Sequence, residues 1–299
     1  MLNWIYFVLI SHGIWSFTSF IDKVVISKGY IKSPFVYIVL NGVMNVFLIF
    51  LLPFVGFEPL SFLDLLIVFV SGIMFVAAVT LYYKAVQYDE ISRVIIINQI
   101  SPVFVLILSF FLLGEVLTKN YFIGFLFLLI AGIVVSYNKI EGKFRLSKAF
   151  YFMFLAAIFG SIAAVAAKYI LSITAFWNAF LWFRLANSTA VFVLTVPSIR
   201  NEFSRTFKQM PNKIRSLLGF KMIIDFSAFI FSGLAILNGP VSLVTALSSS
   251  VQPVIVFIIT LFTSVYLPKI VKEEINKKAI FTKLLAIALI IIGIVFINL

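Results

Sequence analysis

The chain alternates long apolar runs with short polar punctuation, and ten such runs follow one another. They cover about 2–21, 33–54, 64–83, 91–113, 121–138, 148–171, 176–196, 216–236, 241–267 and 280–298. A bilayer's hydrocarbon core is about 30 Å thick, and a helix rising roughly 1.5 Å per residue needs about 20 residues to cross it. Each run therefore predicts a transmembrane helix, because only a helix or a closed barrel satisfies its own backbone in hydrocarbon. A barrel would show short segments alternating apolar and polar, and this chain has none. The polar breaks include Asp22-Lys23 through Lys32, Gly56-Phe57-Glu58-Pro59, Gly114-Glu115, Ser198 to Arg215 and Asn238-Gly239-Pro240. The first run follows Met1-Leu2-Asn3, which lacks a positive flank, so it is expected to stay as a helix rather than leave as a signal peptide.

Composition narrows the class. Of 299 residues, 63% are hydrophobic and 11% charged. Soluble domains run near 45–50% apolar and about 25% charged, so a water-soluble enzyme is excluded. There is no cysteine and a single histidine, which removes disulfides and a histidine-built metal site; neither metal nor cofactor is expected. Trp4, Trp177, Tyr30 and Tyr121 fall near run ends, where aromatic belts form.

The net charge of +12 changes meaning once it is placed along the chain. Twenty of the 23 basic residues fall in odd-numbered connections, with six of them between Arg200 and Lys221. Even-numbered connections hold only Lys119 and Lys168, and Arg184 lies inside a run. The positive-inside rule then puts the odd connections in the cytoplasm and both termini outside. The charge reads as an orientation signal of a multi-pass protein of the cytoplasmic membrane, and no nucleic-acid partner is expected.

Splitting the chain near Lys143 leaves five runs on each side that share marks in order. Gly13 and Lys23 match Gly160 and Lys168; Ser92 and Pro102 match Ser242 and Pro253. Ala131-Gly132-Ile133-Val134 matches Ile292-Gly293-Ile294-Val295. An odd number of spans per copy inserts the second copy upside down, the architecture of many secondary transporters. The expected fold is an all-α integral membrane protein with ten transmembrane helices, as two inverted five-helix repeats over 1–140 and 148–299.

Leu81 to Val135 carries Tyr83-Lys84-Ala85, Ser92, Ser101-Pro102-Val103-Phe104, Leu113-Gly114-Glu115, Gly124 and Ala131-Gly132. In this it resembles the EamA domain of the drug/metabolite transporter superfamily, with Trp15, Lys23 and Arg184 adding to the likeness. The second copy departs from the pattern, having Leu267-Pro268-Lys269 in place of the Gly-Glu pair, and His12 stands where a small apolar residue is usual. The resemblance implies transport, and also implies cytoplasmic termini, opposite to the lysine bias.

Polar groups inside the runs are the candidate site. A charge near the bilayer centre costs about 2.5 kcal/mol or more, so it pairs or lines a wet cavity. Arg184 and Asp225 lie in adjacent runs and suggest an ion pair. Arg184 would receive a substrate carboxylate while Asp225 holds it or titrates; the bland reading is a structural pair with Arg184 snorkelling. Asn98-Gln99-Ile100-Ser101-Pro102 and Ser249-Ser250-Val251-Gln252-Pro253 occupy matching places. An internal proline frees the carbonyl four residues earlier, here that of Asn98 and of Ser249, and supplies a hinge at Pro102 and Pro253. Cavity lining by Asn98, Gln99, Ser101, Ser249 and Gln252 competes with simple helix-to-helix gluing. His12, Trp15 and Asn41 complete the candidate substrate site: His12 as a proton coupler or a packing residue, Trp15 as a stacking platform.

The expected function is secondary-active transport of small organic metabolites, amino-acid export among the options, by alternating access between the repeats. Small-molecule substrate, lipid and protons are the expected partners, with monomer and homodimer both compatible. No Walker A motif is present, so ATP is not the direct energy source. The alternatives are an intramembrane lipid-modifying enzyme, for which no nucleophile–base pair or acid cluster appears, or a scaffold or channel.

Overall fold

The computed structural model describes residues 3–31, 33–47, 50, 53–54, 56–88, 94, 97–136, 148–266 and 277–299. Eleven α-helices lie among the described residues. The first five are α1 (Asn3–Ser27), α2 (Pro34–Phe47), α3 (Phe62–Tyr88), α4 (Ser101–Leu113) and α5 (Lys119–Ser136). Then come α6 (Lys148–Ile173), α7 (Phe176–Asn187), α8 (Pro197–Gln209), α9 (Asn212–Asn238), α10 (Val241–Tyr266) and α11 (Lys277–Asn298). Six of these helices are long and apolar enough to cross a membrane, and α4 and part of α5 are shorter apolar helices. The chain is an all-helical, multi-pass membrane protein.

Local sequence sets the helix ends. Gly29 and Gly114 adopt the left-handed conformation at which α1 and α4 stop, a geometry that costs glycine little. Ser61 opens α3: its hydroxyl accepts the Asp64 N–H at 3.2 Å and donates to the Asp64 carboxylate at 2.6 Å. Pro197 sits in the first turn of α8, where its missing N–H costs nothing.

One expected span and one expected connection differ from the expectation. The seventh run is α7 followed by a 3₁₀ helix over Ser188–Thr195. The Ser188 and Thr189 hydroxyls donate to the Leu185 and Ala186 carbonyls at 2.6 and 2.7 Å, which favours the tighter turn. The polar stretch expected as a connection after it contains α8, bent by 101° from the preceding segment.

Buried clusters show how the helices pair. Trp4 of α1 lies with Ala235 of α9 and Val244 of α10 at one end, and Ile21 and Val25 of α1 lie with Leu218 of α9 at the other. Helices α1 and α9 are therefore antiparallel. Further large contacts join α3 with α6, α5 with α11, α1 with α10, α4 with α6, α4 with α10, and α2 with the 3₁₀ helix. Small residues bring these pairs close. A Cβ at Gly293 would stand 3.1 Å from the Gly124 carbonyl, and one at Gly72 would stand 2.8 Å from the Ala186 backbone. Outward surfaces are apolar, with Phe62, Phe111, Ile223 and Phe262 exposed, as lipid contact requires. Trp4 corrects the belt expectation: it is 2% exposed and packs on Gly239. Trp177 is exposed.

Following the chain through its antiparallel turns puts Lys28, Lys148, Lys277 and Lys278 with α8 at one end, the basic face. At the opposite face, Lys168 Nζ donates to the Ile236, Leu237 and Gly239 carbonyls at 2.8, 3.1 and 2.9 Å, ending α9. The Glu115 carboxylate accepts the Val241 N–H at 3.2–3.3 Å and caps α10. Burial pushes the Glu115 carboxyl above its ordinary range, opposed by that N–H and by Lys168.

Candidate functional site

Two cavities meet inside the bundle. The first is walled by Ile38, Asn41 and Asn45 of α2, Phe75 and Val79 of α3, Arg184 and Asn187 of α7, and Met222, Asp225 and Phe229 of α9. The second is lined by Trp15 of α1, Ser71 of α3, Gly160, Ala163 and Ala167 of α6, Phe176 and Phe180 of α7, and Ser232 and Gly233 of α9. Phe75, Arg184, Asn187 and Phe229 belong to both walls. Helical spacing explains the grouping. Arg184 and Asn187 are three apart, Asn41 and Asn45 four apart, and Asp225 and Phe229 four apart, so each pair shares a face. The 3₁₀ helix begins immediately after Asn187, at the edge of this junction.

Arg184 is held by aromatic faces. Its guanidinium carbon lies 4.0 Å from the Phe229 ring centroid and 5.5 Å from that of Phe180. Stacking of this kind fixes the guanidinium plane and leaves its in-plane N–H donors for a carboxylate. Arg184 Nε is buried and has no hydrogen-bond partner among the described residues. The expected ion pair with Asp225 does not form. Asp225 Oδ2 instead accepts from Lys221 at 2.7 Å, and Lys221 also lies 3.2 Å from Asp22 Oδ2 of α1. The reason is geometric: Lys221 stands one turn before Asp225 on the same helix face and reaches it directly. Lys221, grouped by sequence with the polar connection, is 7% exposed inside the bundle. Asp225 Oδ1 and Asn187 Oδ1 are buried and without a partner among the described residues.

The cavity junction thus presents one buried donor group and two buried acceptors between aromatic walls. Trp15 stands edge-on to Phe229 at 5.1 Å and to His12 at 5.1 Å. His12 Nδ1, as donor, lies 3.2 Å from Gln252 Oε1, so an unbroken series of contacts runs from α10 through α1 and α9 to Arg184.

Of the sequence candidates, Trp15, Asn41, Arg184 and Asp225 line the cavities. His12, Asn98, Gln99, Ser101, Ser249 and Gln252 are not in either wall. Several of them hold helices together. Ser101 and Ser161 hydroxyls lie 3.1 Å apart across α4 and α6. Gln99 Nε2 donates at 3.4 Å to the Ser249 carbonyl, the one freed by Pro253 inside α10. Pro102 sits in the first turn of α4, and a turn at Gln99-Ile100 separates α4 from the helical residues 97 and 98, so the fourth run is broken just before the proline. Ser92 lies outside the described residues. Sequence reasoning missed Lys221, Asn187 and Phe229. The Lys221–Asp225 and Arg184–Asn187 spacings were readable signals, whereas Phe229 is one of 36 phenylalanines and nothing singled it out.

A family model described as the EamA-like transporter family matches residues 2–137. Over those residues, the first half of the chain, the protein is similar to that family. No curated protein matches it. A solved crystal structure is similar over 98% of this chain and 96% of its own, with a TM-score of 0.67 and 14% identity. That likeness concerns fold alone, and it covers both halves of the chain.

Proposed function

We propose that the protein is a secondary carrier that moves small zwitterionic organic metabolites, amino acids among them, by alternating access between two inverted five-helix repeats. The observation that carries the reading is the junction at Arg184. A substrate carboxylate would take the guanidinium donors, its ammonium would take Asp225 Oδ1 and Asn187 Oδ1, and an apolar side chain would lie among Phe75, Phe180 and Trp15. Buried polar atoms left without partners cost about 1–3 kcal/mol each, so a ligand that pairs them binds with a gain.

Helix pairing supports the repeats. Exchanging the first five spans for the last five turns the α1–α9 pair into α6–α3 and the α1–α10 pair into α6–α4. The same exchange returns α5–α11, α4–α10 and α2 with the α7 segment to themselves, whereas α5–α10 is prominent and its counterpart α11–α4 has no comparable contact among the described residues. The repeats would occupy 1–140 and 148–299. The basic face is assigned to the cytoplasm of a cytoplasmic membrane, with both termini outside.

Counterflow of labelled amino acids into proteoliposomes tests the carrier reading. Counterflow is expected in the wild type and lost in Arg184→Ala, with the variant still folded by its thermal transition. No counterflow across a panel of zwitterionic metabolites, or unchanged kinetics in Arg184→Ala, would overturn it.

A further inference from the structure

We propose that α8 is an interfacial helix that binds the headgroups of anionic phospholipids in the leaflet at the basic face. The 101° bend after the 3₁₀ helix turns α8 across the end of the bundle, near the plane in which a leaflet's headgroups lie. Its faces are divided accordingly. Ile199, Phe203 and Thr206 are half-buried, and Phe203 packs on a cluster containing Ile31, Val36 and Leu40. Arg200, Arg205 and Lys208 are exposed, and Lys213 is exposed just beyond the helix. Glu202 is the one acid between Pro197 and Arg215.

The exposed surface is not merely cationic. Phe192, Val196 and Phe207 are exposed beside these charges, so apolar and basic groups stand at the same level. That mixture fits the boundary between acyl chains and phosphates better than an aqueous anion site. Arg215 fixes the corner: its guanidinium lies 5.0 Å from the Phe207 ring centroid and donates to the Lys208 carbonyl at 2.9 Å. Because Phe203 rests against Val36 and Leu40, lipid held by α8 would steady the part of α2 that carries Ile38 and Asn41 into the cavity.

The test uses the full chain in detergent, with thermal unfolding followed by tryptophan fluorescence. Dioleoylphosphatidylglycerol, dioleoylphosphatidylcholine and inorganic phosphate are added in separate arms. The glycerol lipid is expected to raise the midpoint, and the choline lipid and phosphate are not. Each interfacial cation contributes roughly 5-fold in lipid affinity. In Arg200→Gln/Arg205→Gln/Lys208→Gln the half-effective concentration of anionic lipid should therefore rise by about 100-fold. Arg200→Lys/Arg205→Lys, which keeps the charge, should respond like the wild type. Should the glutamine variant not fold, the wild type decides: raising salt from about 0.1 M to about 1 M should erase its lipid-dependent shift. An undiminished response in the glutamine variant, a shift that survives salt, an equal effect of the choline lipid, or reproduction by phosphate alone would overturn the proposal.

Discussion

Replacing Lys221 with methionine should destabilise the protein by about 3–5 kcal/mol, the range seen when one partner of a buried ion pair is removed. Methionine keeps the unbranched stem, so the packing loss is small and the effect isolates the charge. Lys221 and Asp225 side chains are 9% and 11% exposed and lie 2.7 Å apart. The Asp22 side chain is 28% exposed and its contact is 3.2 Å, so its leg contributes the smaller share. In the variant, Asp225 is a buried carboxylate that has lost the Lys221 cation. Net stabilities of about 5–15 kcal/mol are typical, so this loss should be plain. Equilibrium unfolding in mixed detergent micelles, read by the four tryptophans, measures it. The triple variant Asp22→Asn/Lys221→Met/Asp225→Asn should recover to within about 2 kcal/mol of the wild type, because the buried Lys221 and Asp225 charges are then removed together. A Lys221→Met variant within about 1 kcal/mol of wild type, or a triple variant no more stable than the single one, would refute the argument.

Two further outcomes follow from the same geometry. Gly72→Val puts a branched side chain against the Ala186 backbone, which cannot swing aside, so it should cost about 1–3 kcal/mol and slow transport by shifting Arg184 and Asn187; wild-type stability and rate would contradict this. Lys208→Cys, on the exposed face of α8, should resist a membrane-impermeant thiol reagent in intact cells and react after permeabilisation; labelling from outside would reverse the assigned orientation.

Periodicity carried most of the fold. Unbroken apolar runs read as helices because hydrocarbon leaves no other partner for the backbone, and a helix lies in each of the ten runs. The 3₁₀ helix and α8 escaped that reading for separate reasons. The hydroxyls of Ser188 and Thr189 compete with the α-helical ladder without interrupting the apolar pattern. Pro197 to Gln209 is too polar to register as a run, although its Ile199 and Phe203 recur at helical spacing. The site was legible where a charge was conspicuous: Arg184 and Asp225 both face the cavity. Their mutual pairing was not, since run order says which helices are adjacent in sequence but not which side chains meet. Lys221 was hidden by its position near a run boundary, where a lysine ordinarily snorkels outward. Here Asp22 and Asp225 draw it inward.

The two groups of buried charge are built differently, and the difference separates their parts in the proposed cycle. Lys221 ties α1 of the first half to α9 of the second through Asp22 and Asp225, so it bears on how the halves sit together. Arg184 touches aromatic rings and leaves a buried donor facing the cavity. Asp225 connects the two, with one oxygen on Lys221 and the other, without a partner among the described residues, in the wall it shares with Arg184. A substrate ammonium placed at that second oxygen would compete with Lys221 for the same carboxylate. Binding would then weaken the Asp22–Lys221–Asp225 link in step with filling the site. A cavity that loosens the joint between halves only when occupied supplies what a carrier needs and a channel does not. In the proposed cycle, occupancy and rearrangement would then be coupled through one shared side chain, Asp225.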